Sequence, residues 1–393
     1  MRVCLVADKL NISRGGSNFS LDLIAQSLSE RGHEVTVLTV NFNHGNDLPT
    51  EPAYDVLESP LGDGSRVADA RGVYQRLEEH DDRFDIYHVF NPALLPVAGA
   101  YRRRNDTPVV GRLNNYDIFC TNLAMMDGKC HERCTVARKF AHDERDPAAK
   151  AGNVPKFAFD TYALPRLLDG MDRLFALSPQ VERIYRGVGV GPETLALIPN
   201  FYDPSFGTDA GGAATFPGER SVLYVGALKS HKGVDLLVEA APDLPEGTSV
   251  EVVGGGPQRE VLEAQAERLD VDDAVTFHGW VDHDDLAPYY RGADAFVHPG
   301  RWPEPFNRTL LEAMQCGCPP VVSDVGAPPW VVDDCGRVFD RGDAAGLADR
   351  LRGLVTDERE LAALSRRCGE RLETFSPERS VSLVEAAYDE LVS

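Results

Sequence analysis

Apolar residues along the chain follow two periodicities that take turns from one end to the other. Short, nearly continuous runs such as "RVCLVAD", "EVTVLTV" and "DIYHVF" have the length and branched content of strands buried on both faces. Between them, apolar residues recur every three or four positions. In "NFSLDLIAQSLSERG", Leu21, Ile24, Ala25 and Leu28 supply the apolar face, Phe19, Leu23 and Gln26 mark another line, and Gly32 ends the helix as a cap. Further strands are expected at 85–90, 108–113 and 173–178. This alternation predicts an α/β fold with parallel sheets covered by helices on both faces.

The pattern breaks between Leu197 and Ser221, where Pro, Gly and small residues follow one another without periodicity. It then restarts with "SVLYVGA", "GVDLLVEAAPDL", "SVEVVGGG", "AVTFHG", "AFVHPG" and "PPVVSD". Two doubly wound, Rossmann-like units in tandem follow, residues 1–200 and 201–375. In such sheets ligands sit at the carboxyl ends of the strands, and two facing units make a cleft. The last segment reads as a helix capped by Ser376, with Pro377 in its first turn.

Composition narrows the chemistry. A chain of 393 residues suits two domains of about 150 to 200 residues each. The opening "MRVCLVADKL" reads as a strand rather than a secretory leader, and no apolar run approaches the roughly eighteen residues of a membrane span. Eight dispersed cysteines argue against a disulfide scaffold, so a cytoplasmic, soluble protein is expected. A net charge of −22, with seven lysines among 40 basic residues, argues against a nucleic-acid partner. The acidic balance has two readings, plain solubility or adaptation to high salt.

Four stretches carry candidate chemistry. In "YVGALKSHKGVD" a strand ends at Gly226, the loop holds Lys229 and Lys232, and a helix follows Gly233: cations and free N–H groups make a phosphate site, against the alternative of solvated loop charges. Gly254 in "VVGGGP", and Gly15 with Gly16 near the start, would let a phosphate or sugar approach the backbone, or simply form tight turns. In "HPGRWPEPFNRTLLEAMQCGCPPVVSD" Glu304 and Glu312 are eight residues apart, with a helix expected from about Phe306. Eight helical residues span about 12 Å, so these carboxylates cannot share a proton or a metal. Glu304 suits the positive end of the helix, whereas Glu312, among Leu310, Leu311, Ala313 and Met314, needs a hydrogen-bonding partner such as a hydroxyl pair.

Glu-x7-Glu followed by Ala-Met, a Gly-Cys-Pro turn and "VVSDVG" resembles the signature of retaining GT-B glycosyltransferases of family four, relatives of glycogen and sucrose synthases and of mannosyltransferases. The likeness extends to "RGGSNFSLDLIAQSLSERGHEVTVLT", "IPNFYDPSF", "HKGVD" and "VTFHGWVDHDDLAPYYRGADAFVHP", nearly the whole chain. It implies a metal-independent transfer from a UDP- or GDP-sugar to a glycan, lipid-linked or small-molecule acceptor, with no cofactor. By position, Glu304 would bind sugar hydroxyls, Glu312 the ribose, and Lys232 the diphosphate. Gly15 and Gly16 would lie by the phosphate and acceptor. Phe277, Gly279, Trp280 and Val281 would frame the base, and Pro305, Phe306, Asn307 and Arg308 would open the phosphate-binding helix. The final helix, 376–393, would cross back to the first domain. A lipid-linked acceptor would bring the protein to the inner face of a membrane, although the acidic chain offers no clear basic face for one.

Several positions depart from that pattern. Ala227 stands where an arginine usually shares the diphosphate, leaving Lys229 and Arg308 as substitutes; Asn307 replaces a glycine, Trp330 a glutamate, and Asn114 the histidine that faces the donor sugar. An amide still hydrogen bonds sugar hydroxyls but cannot titrate. These changes motivate a rival reading, a sugar-nucleotide-binding pseudoenzyme or regulatory subunit, which the intact Glu304, Lys232 and Glu312 oppose. A nucleotide-sugar epimerase fits the Glu-x7-Glu helix less well. Cys120, Cys130, His131 and Cys134 could hold zinc or an iron–sulfur cluster, but their C-x9-C-x3-C spacing favours ordinary loop thiols.

Overall fold

The computed structural model describes residues 1–10, 16–40, 52–59, 61, 66–120, 135–143, 146–208 and 211–392. These form two compact units, Met1–Asn200 with Glu378–Ser393, and Phe201–Pro377. No helix among the described residues is long and apolar enough to cross a membrane.

The first unit is built on seven strands: β1 (Arg2–Ala7), β2 (Glu34–Thr39), β3 (Asp55–Glu58), β4 (Ile86–Val89), β5 (Val109–Leu113), β6 (Arg173–Ala176) and β7 (Leu195–Leu197). All pair in parallel, in the order β3-β2-β1-β4-β5-β6-β7. Strands with both faces covered are largely apolar, and Ile86–Val89 and Val109–Leu113 are wholly buried, with His88 and Arg112 as their buried polar members. The Gly16–Glu30 helix buries Leu21, Ile24, Ala25 and Leu28, and Gly32 follows at φ 87°, where a side chain would be strained. Asp22 is also buried on this helix, satisfied by the Tyr54 hydroxyl at 2.6 Å and Gln26 at 2.7 Å. The Pro377–Val392 helix packs on this unit: Arg31 and His33 grip Glu385 at 2.6 and 3.0 Å, and the Tyr388 hydroxyl lies 2.6 Å from buried His88 Nδ1.

The second unit has six parallel strands: β8 (Arg220–Val225), β9 (Thr248–Val253), β10 (Val275–Gly279), β11 (Ala295–His298), β12 (Pro320–Ser323) and β13 (Arg337–Phe339), in the order β10-β9-β8-β11-β12-β13. Val222, Tyr224, Val250, Val252, Val297 and Val321 point from one sheet face into a core with Leu237, Leu347, Leu351 and Leu354. Alternation along β11 therefore sends His298 to the opposite face, where the Arg308–Gln315 helix packs.

Three edge strands, β3, β7 and β13, were not expected from the pattern; they have only three or four residues each. The helix expected from Phe306 begins instead at Arg308. Asn307 sits at φ 81°, outside the helical region, and caps the helix by accepting a hydrogen bond from the Thr309 N–H.

Candidate functional site

In an open parallel sheet, a ligand crevice opens where neighbouring strands send their connections to opposite sides. In the second unit this point lies between β8 and β11. The loops leaving these strands bring together residues far apart in sequence. Lys232, in a turn after β8, forms an ion pair with Glu304, in the loop after β11, and both are largely buried. Gly233 follows at φ 72°, and a Cβ there would run into the Pro299 carbonyl, so this position needs glycine twice over. The same loops are tied by Arg301, whose guanidinium meets both Asp235 oxygens at 2.5 and 2.7 Å while the Arg301 backbone N–H donates to the His231 carbonyl at 2.9 Å. His231 packs edge-on to Trp302. Burial, followed by Lys232, lowers the pKa of His231.

Glu304 precedes the N-terminus of the Arg308–Gln315 helix, whose free N–H groups favour an anion. Asn307 Oδ1 accepts from the Thr309 N–H at 3.1 Å and the Thr309 hydroxyl at 2.6 Å, while its Nδ2 lies 2.9 Å from His298 Nδ1. Arg308 is turned to the Phe201 carbonyl at 3.2 Å, and burial holds its pKa below the ordinary arginine value. Lys229 stands exposed at the head of its turn. Pro305 and Phe306 are buried, the Phe306 ring in an aromatic group with Phe375 and Trp330; Arg371 lies over the Trp330 ring. Trp330 thus has a packing role in place of the glutamate suggested by the resemblance.

Glu312 has the partners that its apolar setting demands. The Tyr290 hydroxyl donates to Oε2 at 2.9 Å, and His283 Nε2 lies 3.4 Å from Oε1. Burial opposes charge on His283, but the hydrogen bond to Glu312 and its negative charge outweigh it and raise the histidine pKa. Burial, with Glu312 adding to it, raises the pKa of Tyr290 as well.

The glycine-rich turn after β9 lies against the β8 loop. A Cβ on Gly254 would meet the Gly226 carbonyl, and the Gly254 N–H donates to the Gly279 carbonyl at 2.7 Å. Gly279 itself is at φ 79°. Phe277 is half-buried, Val281 half-exposed, and Trp280 is 70% exposed with its N–H 3.3 Å from Asp282.

In the first unit, the sheet reverses between β1 and β4. Asn114, just beyond β5, uses its amide NH2 on the Phe90 carbonyl at 2.6 Å and the Ser17 hydroxyl at 2.9 Å, joining the ends of β4 and β5 to the Gly16–Glu30 helix. Gly16 is exposed at the start of that helix; Gly15 lies outside the described residues. Cys120 is half-buried, and Cys130, His131 and Cys134 lie outside the described residues.

Sequence reasoning missed His298, His283 and Tyr290. His298 only ends a strand before Pro-Gly, and the other two come from "VDHDDLAPYYRGA", which has no distinctive spacing. A signal for Tyr290 did exist: buried Glu312 required a donor from somewhere.

Comparisons with known proteins agree with this architecture. Residues 14–206 match the model of Glycosyltransferase Family 4, and residues 212–373 match that of Glycosyl transferases group 1. A D-inositol 3-phosphate glycosyltransferase of Xylanimonas cellulosilytica is 27% identical over 385 residues, covering 89% of this chain and 86% of its own. A protein of the same name from Mycolicibacterium smegmatis is 33% identical over 183 residues, 44% of this chain and 41% of its own. Among solved structures, sucrose-phosphate synthase from Thermosynechococcus elongatus superposes with a TM-score of 0.75 at 21% identity, covering 99% of this chain and 98% of that one. Anabaena HepE in complex with UDP gives 0.75 at 17% identity, covering 99% and 100%. With two parallel-sheet units and family matches running in succession along nearly its whole length, the chain belongs to the group 1 glycosyltransferases of GT-B fold.

Proposed function

We propose that this protein transfers a sugar, with retention of anomeric configuration and without a metal, from a UDP- or GDP-sugar to a hydroxyl of a glycan, lipid-linked or small-molecule acceptor. The observation that carries the reading is the Lys232–Glu304 pair at the switch point of the second sheet, beside the N-terminus of the Arg308–Gln315 helix. Lys232 and the helix N–H groups receive the diphosphate, and Glu304, freed from part of its ion pair, accepts from sugar hydroxyls. Glu312, oriented by Tyr290 and His283, receives the ribose hydroxyls. Phe277, Gly279, Trp280 and Val281 frame the base, and the backbone at Gly254 adjoins them. Asn114, Gly15 and Gly16 are the first unit's own candidates for hydroxyl and phosphate contacts.

In the reaction the bond from the anomeric carbon to the diphosphate breaks and the acceptor oxygen bonds to that carbon. The hydroxyl proton passes to the departing phosphate on the same face, so charge stabilisation rather than a side-chain base is the main demand on the protein. The names of the relatives, glycosyltransferase and sucrose-phosphate synthase, and a structural neighbour holding UDP support this reading.

The test is release of nucleoside diphosphate from a panel of UDP- and GDP-sugars with cell extract as acceptor source, at low and high salt and with EDTA. Turnover that survives EDTA, is lost in Glu304→Ala and gives a first product of unchanged anomeric configuration by proton NMR is expected. Donor binding without turnover, indifferent to Glu304→Ala, would overturn the proposal.

A further inference from the structure

His298 closes β11 on the sheet face covered by the Arg308–Gln315 helix, and it is 3% exposed. Its Nδ1 faces Asn307 Nδ2. The orientation of the Asn307 amide is determined by its other end: Oδ1 accepts from both the N–H and the hydroxyl of Thr309. Reversing the amide would set its NH2 against the Thr309 N–H, donor against donor. Nδ2 therefore donates to His298 Nδ1, which keeps its lone pair, and a neutral ring carries its proton on Nε2. Burial pushes His298 down to about 4, with Glu304 pulling upward and Lys232 downward, so the ring is neutral near pH 7.

Nε2 is buried and has no hydrogen-bond partner among the described residues. It faces the loop that leads to Glu304: a Cβ placed on Gly300 would lie 2.7 Å from it, and the Gly300 carbonyl is already engaged by the Ser323 hydroxyl at 2.5 Å. A buried N–H without an acceptor is unfavourable, and a ligand that brings an oxygen relieves it. Lys232 and the free N–H groups at the head of an eight-residue helix draw anionic oxygens to this same corner.

We propose that His298 contacts the donor's diphosphate, its Nε2–H donating to a phosphate oxygen, and that Asn307 is the positioning residue that holds the ring in this tautomer. The inference rests on the nucleotide-sugar reading above. It gives Asn307 a reason beyond capping, since a glycine there would cap the helix through backbone alone and leave the imidazole free to exchange tautomers.

The experiment is nitrogen-15 NMR of the full-length protein labelled at histidine, with the His298 signals assigned by their loss in His298→Phe. The free protein should show Nε2 protonated and Nδ1 bare. Saturation with UDP or GDP should shift the Nε2–H signal, whereas uridine or guanosine should leave it in place. His298→Phe should weaken UDP or GDP binding about tenfold, the loss expected for one buried hydrogen bond. Asn307→Gly, which relieves the positive φ and so retains the fold, should give mixed tautomers at His298 and a smaller loss of affinity. A ring protonated on Nδ1, an unmoved Nε2 signal in the saturated protein, or wild-type affinity in His298→Phe would each overturn the inference while leaving the donor reading intact. Failure of the wild-type protein to bind either nucleotide would overturn both.

Discussion

Lys232→Met removes the cation from Glu304 and leaves a carboxylate whose side chain is only 10% exposed without its ion-pair partner. Breaking a fully buried pair in this way costs about 3–5 kcal/mol. Lys232 is 24% exposed, so water enters the gap, and a loss of about 2–3 kcal/mol is expected. Glu304→Gln costs less, about 1 kcal/mol, because the freed ammonium can turn toward solvent. With both changes present no charge is stranded, so the double variant should be about 2 kcal/mol more stable than the sum of the singles predicts. The chain suits the measurement: its three tryptophans, Trp280, Trp302 and Trp330, all lie within Phe201–Pro377, so fluorescence during urea denaturation follows the second unit alone. Additivity of the two substitutions within about 0.5 kcal/mol would show that the pair is a surface contact of no consequence. The same variants separate stability from function, since the double variant should regain stability without regaining donor turnover.

Two histidines of the second unit should respond to pH in opposite directions. The pKa of His283 is raised in the folded state, so its contribution is complete below the ordinary histidine value of 6.5 and disappears as pH rises through the raised value; urea midpoints of His283→Gln should lack that alkaline decline. His298 is lowered to about 4, so its contribution is present above 6.5 and disappears as pH falls through about 4, a loss on the order of 3 kcal/mol that His298→Gln should abolish. Tyr290→Phe strips one donor from buried Glu312 and should destabilise the second unit by about 1–2 kcal/mol in the same fluorescence assay. Gly254→Ala forces a Cβ into the Gly226 carbonyl at positive φ, and a loss of more than about 2 kcal/mol is expected; a smaller change would mean that the two loops separate easily.

The interior strands and the long helices were legible because a strand buried on both faces leaves a nearly continuous apolar run and a helix buried on one face leaves a period-3.6 record in the residues themselves. The strands that escaped, β3, β7 and β13, are all sheet edges. An edge strand is held mainly by backbone bonds to one neighbour, so three residues suffice and little hydrophobic record is left. The start of the Arg308–Gln315 helix was misjudged for a different reason. Pro303 and Pro305 mark where a helix cannot yet run, but the actual boundary is set by Asn307 at φ 81°, and asparagine in sequence announces only that such a conformation is tolerable.

The candidate site divides along the same line. Glu304, Lys232 and Glu312 could be singled out because each has a local anomaly: a carboxylate between prolines, a lysine in a lysine-poor chain, a glutamate inside an apolar helix. What each one touches is a tertiary fact. Lys232 and Glu304 are 72 residues apart and meet because β8 and β11 are neighbours at the sheet's reversal. Glu312 illustrates how far local reasoning reaches. Burial among Leu310, Leu311, Ala313 and Met314 required hydrogen-bond donors, and a ligand's hydroxyl pair was one way to supply them. The fold supplies a tyrosine hydroxyl and a histidine instead, so the carboxylate is already oriented before any ligand arrives. Each carboxylate oxygen can accept more than one hydrogen bond, so these protein donors leave capacity for a ribose while removing the cost of an empty site. A ribose-binding carboxylate held this way should need less reordering on binding than one that waits unpaired, and the geometry of Tyr290 and His283 is where that preorganisation resides.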